Sequence, residues 1–282
     1  MNLILQGLST ERAAIEGLIK LAQPQRVVAL SGNAWRCEGI ADSAELREHI
    51  NAACLPLQVD YAFVEAGRSL DDFRLVAMDM DSTLITIECI DEIADMQGLK
   101  PQVAEITEAA MRGEIEFQES LTRRVALLEG LDAGALQRVY DERLALSPGA
   151  EKMLQAIQAA GLKTLLVSGG FTFFTDRMKQ RLKLDYTHAN VLEIVDGKLT
   201  GKVVGGIVDA EEKRLTVQRV CADLGVSTDR AIVMGDGAND LKMMGISGLS
   251  VAFRAKPVVR AQATVALNFV GLDGILHILA KT

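Results

Sequence analysis

The 282-residue chain predicts an α/β protein, a doubly wound parallel sheet with an inserted helical cap, preceded by a small α+β domain. Three observations carry that expectation. Beyond residue 73, almost wholly apolar runs (FRLVAMD, LKTLLVSGG, RAIVMGDG) alternate with helical stretches, the pattern of strands buried on both faces between layers of helices. Between about 87 and 147, helical patterns follow one another without a strand. Before residue 73, strand and helix signals come in the order strand, helix, strand, strand, helix, strand.

In that first segment NLILQGL reads as a strand and STERAAIEGLIKLA as a helix capped by Ser9 or Thr10. RVVALSG and WRCEGIA are strands about a Gly32-Asn33 turn, SAELREHINAA is a second helix, and LQVDYAFVEA a last strand. This order suits a ferredoxin-like domain. Nothing in it gathers chemistry-bearing side chains. Gly67, Ser69, Asp71 and Asp72 mark a linker, which divides the chain into 1–72 and 73–282.

In the second segment LSVAF and ALNFV add shorter strands to the three apolar runs. GAEKMLQAIQAAG, TFFTDRMKQRLK and KRLTVQRVCADLG are the connecting helices. CIDEIADMQG, PQVAEITEAAMRGE, FQESLTRRVALLEG and DAGALQRVYDERLA form the cap. NVLEIVDGKLTGKVVG stands apart as a hairpin with Asp196-Gly197 at its turn. Met243 and Met244 read as packing residues.

Composition narrows the function. Apolar residues make up 49% and charged residues 24%, an ordinary globular mixture. A net charge of −8 argues against nucleic acid as the main partner. The four cysteines and three histidines are scattered, with no Cys-x-x-Cys pair, so neither a zinc site nor a disulfide framework is expected. The N-terminus has no basic stretch followed by an apolar run, and no window is long and apolar enough to span a membrane. A cytoplasmic protein acting on a small molecule is the expectation.

The strands end in polar clusters. DMDST follows the first, SGG the second and GDGAND the third, and ligands of such sheets bind beyond the carboxyl ends of the strands. Close carboxylates repel and call for a cation. Hard oxygen donors without Cys or His favour Mg²⁺, which commonly accompanies phosphate. An aspartate can attack phosphorus, and a neighbouring carboxylic acid can protonate the leaving oxygen and then activate water. Asp79 and Asp81 are the candidates for that pair.

These blocks resemble the haloacid dehalogenase superfamily and, within it, the phosphoserine phosphatase family. DMDSTLITIECIDEIA, AMRGEIEFQESLTRRVALL, SGGFTFF, VDAEEK and GDGANDLKMM agree in order and spacing over about 73–282. The resemblance implies Mg²⁺-dependent hydrolysis of O-phospho-L-serine through an aspartyl phosphate, the last step of L-serine biosynthesis. It implies Asp79 as nucleophile and Asp81 as acid–base group. Asp79, the backbone carbonyl of Asp81, and Asp236 would be metal ligands. Ser168, the Gly169 amide and Lys213 would bind the phosphoryl group, with Asn239 beside it. Asp240 would support the metal site and Lys213. Glu88 and Arg124 would read the amino-acid part from the cap. By its element order alone, the first domain resembles ACT-like amino-acid-binding domains, which often pair, so a homodimer is an expectation. Two other functions use the same blocks. One is a related phosphatase for another small substrate, which the cap would decide. The other is a non-catalytic sensor, against which the presence of both Asp79 and Asp81 argues.

Overall fold

The computed structural model describes residues 1–8, 12–112 and 114–281, without the side chains of 12–14 and 111. The expected caps Ser9 and Thr10 lie outside the described residues. The N-terminal unit consists of β1 (Asn2–Gly7), α1 (Arg12–Ala22), β2 (Arg26–Ser31), β3 (Ala34–Glu38), α2 (Ala44–Cys54) and β4 (Val59–Val64). Its antiparallel sheet has the order β2-β3-β1-β4, the ferredoxin-like arrangement. Ser43 caps α2, its Oγ accepting the Leu46 N–H at 3.1 Å. Side chains alternate along the strands. Leu3, Leu5 and Phe63 face the two helices and pack with Ile15, Leu18 and Ile50. Ile4, Ala62 and Val64 face the other way and join Phe73, Leu267 and Ile275 in the main core. Both faces of this sheet are therefore covered, and every residue of β1 is buried.

The second unit opens with β5 (Leu75–Met78). The cap follows as α3 (Cys89–Asp95), α4 (Lys100–Met111), α5 (Phe117–Ala126) and α6 (Gly134–Glu142). Then come α7 (Ala150–Ala159), β6 (Lys163–Phe171), α8 (Thr172–Leu182), β7 (Tyr186–Val195), β8 (Lys198–Val204) and α9 (Ala210–Asp223). The chain ends with β9 (Ala231–Gly235), α10 (Leu241–Met244), β10 (Leu249–Phe253), α11 (Pro257–Arg260), β11 (Val265–Leu267) and α12 (Gly274–Ile278). The sheet order is β11-β10-β9-β5-β6-β7-β8, parallel except for the β7/β8 pair. From the central strand β5 the chain moves outward through β6 and β7, then returns to build β9, β10 and β11 on the other side. The switch point of the sheet is thus at β5, where a ligand crevice forms. Met243 and Met244 are buried, as expected of packing residues.

Two crossings set the limits of the cap. Ile85 pairs with Leu146 in an isolated antiparallel bridge, flanked by the Thr86 N–H to the Ala145 carbonyl at 2.9 Å and the Ser147 N–H to the Leu84 carbonyl at 3.0 Å. The hairpin is less separate than its sequence suggests. The first half of β7 continues the parallel sheet beside β6, pairing Tyr186 with Leu165 and His188 with Val167. Only its second half turns back onto β8, through Asp196 and Gly197, both with positive φ (50° and 75°) as a type I′ turn requires. Tyr186, Thr187 and His188 are only half-buried, so no apolar run marks that strand.

The two units are joined by more than the linker. The buried Asp60 carboxylate accepts three backbone N–H groups, from Asn268 (2.8 Å), Phe269 (2.9 Å) and Val270 (2.9 Å). The Arg36 guanidinium donates to the Ala280 carbonyl at 2.8 Å, and Gln6 Oε1 meets His277 Nδ1 at 2.8 Å. Leaving a buried donor unpaired costs about 1–3 kcal/mol, so Asp60→Ala should lower stability by about 3 kcal/mol or more. Urea unfolding measures this. An unchanged midpoint would mean that the three amides find other partners.

Candidate active site

Asp79 follows the last residue of β5, and its N–H still donates to the Met234 carbonyl on β9 at 3.0 Å. The chain then kinks. Asp81 is extended (φ −63°, ψ 134°), Ser82 is left-handed (φ 55°), and the Ile85 N–H returns to the Met80 carbonyl at 3.0 Å. A left-handed Ser costs about 1–2 kcal/mol. It is held here by the Ser82 N–H to the Ile87 carbonyl (3.2 Å) and by the Ser82 hydroxyl to Glu88 Oε1 (2.6 Å). The same kink brings Asp79, Asp81 and Glu88 to one cavity.

At the end of β6 the Ser168 side chain is fully buried, and its Oγ accepts the Gly170 N–H at 2.9 Å. Its own proton is therefore free for another acceptor. The Gly169 carbonyl accepts from Asn190 Nδ2 at 2.7 Å. A Cβ on Gly169 would stand 3.1 Å from the Phe117 ring of the cap, and one on Gly170 would stand 3.0 Å from Asp81 Oδ2. Glycine at both positions lets the cap and the acid close on the loop.

Beyond β9 the turn is organised by Asp240. Its Oδ2 accepts the N–H groups of Asp236 (3.2 Å) and Gly237 (3.1 Å). Its Oδ1 accepts from Lys213 Nζ at 2.8 Å, and the same ammonium lies 2.7 Å from Asp79 Oδ2. Lys213 sits in the first turn of α9, which Asp209 caps by accepting the N–H groups of Glu211 and Glu212 at 2.9 and 3.0 Å. Lys213 and Asp240 are fully buried. Lys213 stands behind Asp79, outside the cavity lining, with one of its three donors left over.

The electrostatics show a shortage of positive charge. Carboxylate oxygens of Asp79, Asp236 and Asp240 lie within 4.8 Å of one another, with the single Lys213 ammonium among them. Burial, then the charge of Asp240, pushes Asp79 well above the usual carboxylate range, and Lys213 opposes this. Burial, then Asp240, raises Asp236 to about 6. Burial, then the charge of Glu88, raises Asp81 to about 8. Asp81 Oδ1 is buried and has no hydrogen-bond partner among the described residues. An all-oxygen cluster with uncompensated negative charge fits a divalent cation. Asp240 accepts three donors, Asp79 two (the Met80 N–H on Oδ1 at 2.7 Å and Lys213 on Oδ2) and Asp236 one (the Thr83 hydroxyl on Oδ1 at 3.1 Å), so Asp236 and Asp79 keep the most lone pairs for a cation.

The cavity, about 970 Å³, has Asp79, Asp81, Ser168, Gly169, Asp236 and Asn239 on its core side and Glu88 and Arg124 at the cap side. Every residue expected from the sequence thus lines it or, for Lys213 and Asp240, supports it from behind. Arg124 Nε donates to the Ser120 carbonyl at 3.4 Å. Burial pulls its pKa down against the opposing charges of Asp91, Glu88 and Asp81. Four further residues escaped sequence reasoning. Phe117 packs over Gly169, and Gln118 Nε2 bridges cap to core by donating to Asp209 Oδ2 at 2.7 Å. Asp91 and Lys256 also line the cavity. Phe117, Gln118 and Asp91 lie inside the quoted motif blocks, where their cap positions could have drawn attention. Lys256, beside a proline in a loop, carries no local signal.

A carboxylate cluster at the switch point of a parallel sheet, steadied by a buried lysine and covered by a helical cap, fits a hydrolase assisted by a divalent metal. Residues 73–248 match the family model of the haloacid dehalogenase-like hydrolases, and the chain belongs to that family. It is similar to the phosphoserine phosphatase of Polaromonas sp., 59% identical over 215 residues that cover 74% of this chain and 91% of that protein. Among solved structures it is similar to a haloacid dehalogenase family hydrolase from Salmonella enterica serovar Typhi, with a TM-score of 0.90, 31% identity and 99% of both chains covered. It is also similar to a probable phosphoserine phosphatase from Vibrio cholerae, with a TM-score of 0.83, 37% identity, and 99% of this chain and 86% of that one covered.

Lys213→Met should leave Asp79 and Asp240 facing each other without a counter-charge. Removing one partner of a buried pair costs about 3–5 kcal/mol. Urea unfolding should show a loss of that order, and an unaltered midpoint would mean that the ammonium does not hold the three segments together.

Proposed function

We infer that this enzyme is a phosphoserine phosphatase, which hydrolyses O-phospho-L-serine to L-serine and phosphate, the last step of L-serine biosynthesis. The observation that carries this is a single cavity lined by two chemically different sets of residues. Aspartates and Ser168 line it from the core strands, and the oppositely charged Glu88 and Arg124 from the cap helices. A phosphate ester of a zwitterion matches both. The phosphoserine phosphatase from Polaromonas sp. supports the same substrate.

In this mechanism the Asp79 carboxylate attacks phosphorus and the serine oxygen leaves, giving an aspartyl phosphate. Asp81, kept protonated by burial and by the charge of Glu88, gives its proton to that oxygen. The resulting carboxylate then takes a proton from water as the water attacks the aspartyl phosphate, which restores Asp79 and releases phosphate. The Ser168 hydroxyl and the Gly169 N–H donate to the phosphoryl oxygens, and Asn239 stands beside them. Lys213 favours the ionised form of Asp79 and fixes its orientation. Asp79, Asp236 and the carbonyl of Asp81 would hold Mg²⁺, which supplies charge neutralisation and Lewis acidity at the phosphoryl group. Phe117, closed against Gly169, restricts water at the loop. Among the described residues no helix is long and apolar enough to cross a membrane, which agrees with a cytoplasmic setting.

Phosphate release from a panel of phosphorylated small molecules, with and without Mg²⁺, tests the assignment. Phosphoserine should be the best substrate, and chelation should abolish turnover. Equal rates on sugar phosphates would defeat it. For the nucleophile, Asp79→Asn removes one of several crowded negative charges, so the fold should survive. Turnover should fall below about a hundredth of wild type, since uncatalysed phosphate-monoester hydrolysis is among the slowest reactions, with enzymatic accelerations up to ~10²¹. A variant retaining more than that would shift the nucleophile elsewhere.

A further inference from the structure

The amino-acid end of the cavity is short of one positive charge. Glu88 and Asp91 both line it, with Arg124. The charges that act on Arg124 are these two carboxylates and Asp81. With Asp81 protonated, a guanidinium set between the carboxylates of Asp91 and Glu88 still offers little net attraction to a third. A zwitterionic ligand nevertheless needs both signs from its site. Lys242, at the same rim, is held by Glu211 at 3.3 Å.

Lys256 is different. It lines the cavity from the core side, and its ammonium has no ion pair or side-chain hydrogen bond among the described residues. Its charge acts on Glu88. Its backbone is fixed to the acid loop, the Lys256 N–H donating to the Asp236 carbonyl at 3.1 Å. Pro257 follows at the start of α11, so the base of the side chain is rigid while its four-carbon stem is free to swing.

We propose that Lys256 is a specificity-determining residue that meets the substrate's α-carboxylate from the core side, opposite Arg124 on the cap. The proposal rests on the phosphoserine reading. In the free enzyme the Lys256 charge acts on Glu88 together with the stronger influence of Arg124. When the substrate ammonium takes that role, Lys256 is released to the carboxylate, and the number of opposed charges is conserved. Because one cation belongs to the core and the other to the cap, the carboxylate also ties the two together.

The test compares O-phosphoserine with O-phosphoethanolamine, the same ester without the carboxylate, on the full-length enzyme with Mg²⁺. Lys256→Met keeps the stem and removes the charge. Phosphoserine should lose about tenfold or more in kcat/KM, chiefly through KM, and phosphoethanolamine much less. Lys256→Arg should recover most of the loss. Equal losses on both esters would overturn the proposal and assign Lys256 to the phosphate or to the fold. Unchanged kinetics on both would make it a bystander. A wild-type enzyme that does not prefer phosphoserine over phosphoethanolamine would instead defeat the substrate reading itself, whatever the variant does.

Discussion

One buried ammonium organises this enzyme. Lys213 reaches from α9 to Asp79 at the end of β5 and to Asp240 in the turn beyond β9. A charge removed from water must be paired and hydrogen-bonded, so the positions of three segments distant in sequence become mutually dependent. Asp240 passes the constraint on, since its second oxygen holds the amides of Asp236 and Gly237. Gly235 has no Cβ because the Asp240 carboxylate occupies that space. The pairing is deliberately incomplete in charge. One ammonium cannot neutralise three carboxylates within 4.8 Å, and the remainder is what makes the cluster a site for a divalent cation rather than a closed salt bridge.

The cap depends on the same frame. It leaves the core through a short antiparallel crossing at Ile85 and Leu146, and it touches the core again at the end of β6 and the start of α9. Phe117 packs on Gly169, and Gln118 bonds to Asp209. Asp209 is also the residue that caps α9 and so sets the helix carrying Lys213. Contact between cap and core is thus made at a residue that already belongs to the ammonium's support. The cap and core residues that line the cavity are thus registered to each other through α9.

Strands β5, β6 and β9 are legible in the sequence because burial on both faces demands continuous apolar residues, and their polar ends then stand out. The cap helices and the Asp196-Gly197 turn are legible for equally local reasons. The first half of β7 is not, since Tyr186, Thr187 and His188 are only half-buried there. Helices α10, α11 and α12, of four or five residues, are too short to show a period. The acids of the site could be read from their places after the strands. The position of Lys213 behind Asp79, rather than in the cavity, could not, because it depends on where α9 packs. Asp60 reads as an ordinary strand residue. Its three partners begin 208 residues later, and no local pattern records them.

Those partners tie the N-terminal unit to the last strand of the larger sheet. Asp60 grips the chain at Asn268, Phe269 and Val270, just after β11. The stretch that leads there begins at the end of β10, where the Arg254 N–H donates to the Leu267 carbonyl at 2.8 Å and the Lys256 N–H to the Asp236 carbonyl at 3.1 Å. This segment is therefore held at one end by the acid loop and at the other by the N-terminal sheet, with Lys256 near the first hold. The sheet also buries Ile4, Ala62 and Val64 against Leu267 and Ile275, so the second hold is apolar as well as polar. None of the aspartates of the site comes from the N-terminal unit. The segment it grips leads back through β11 and α11 to the loop of Lys256, a part of the cavity wall that the central ammonium does not itself hold.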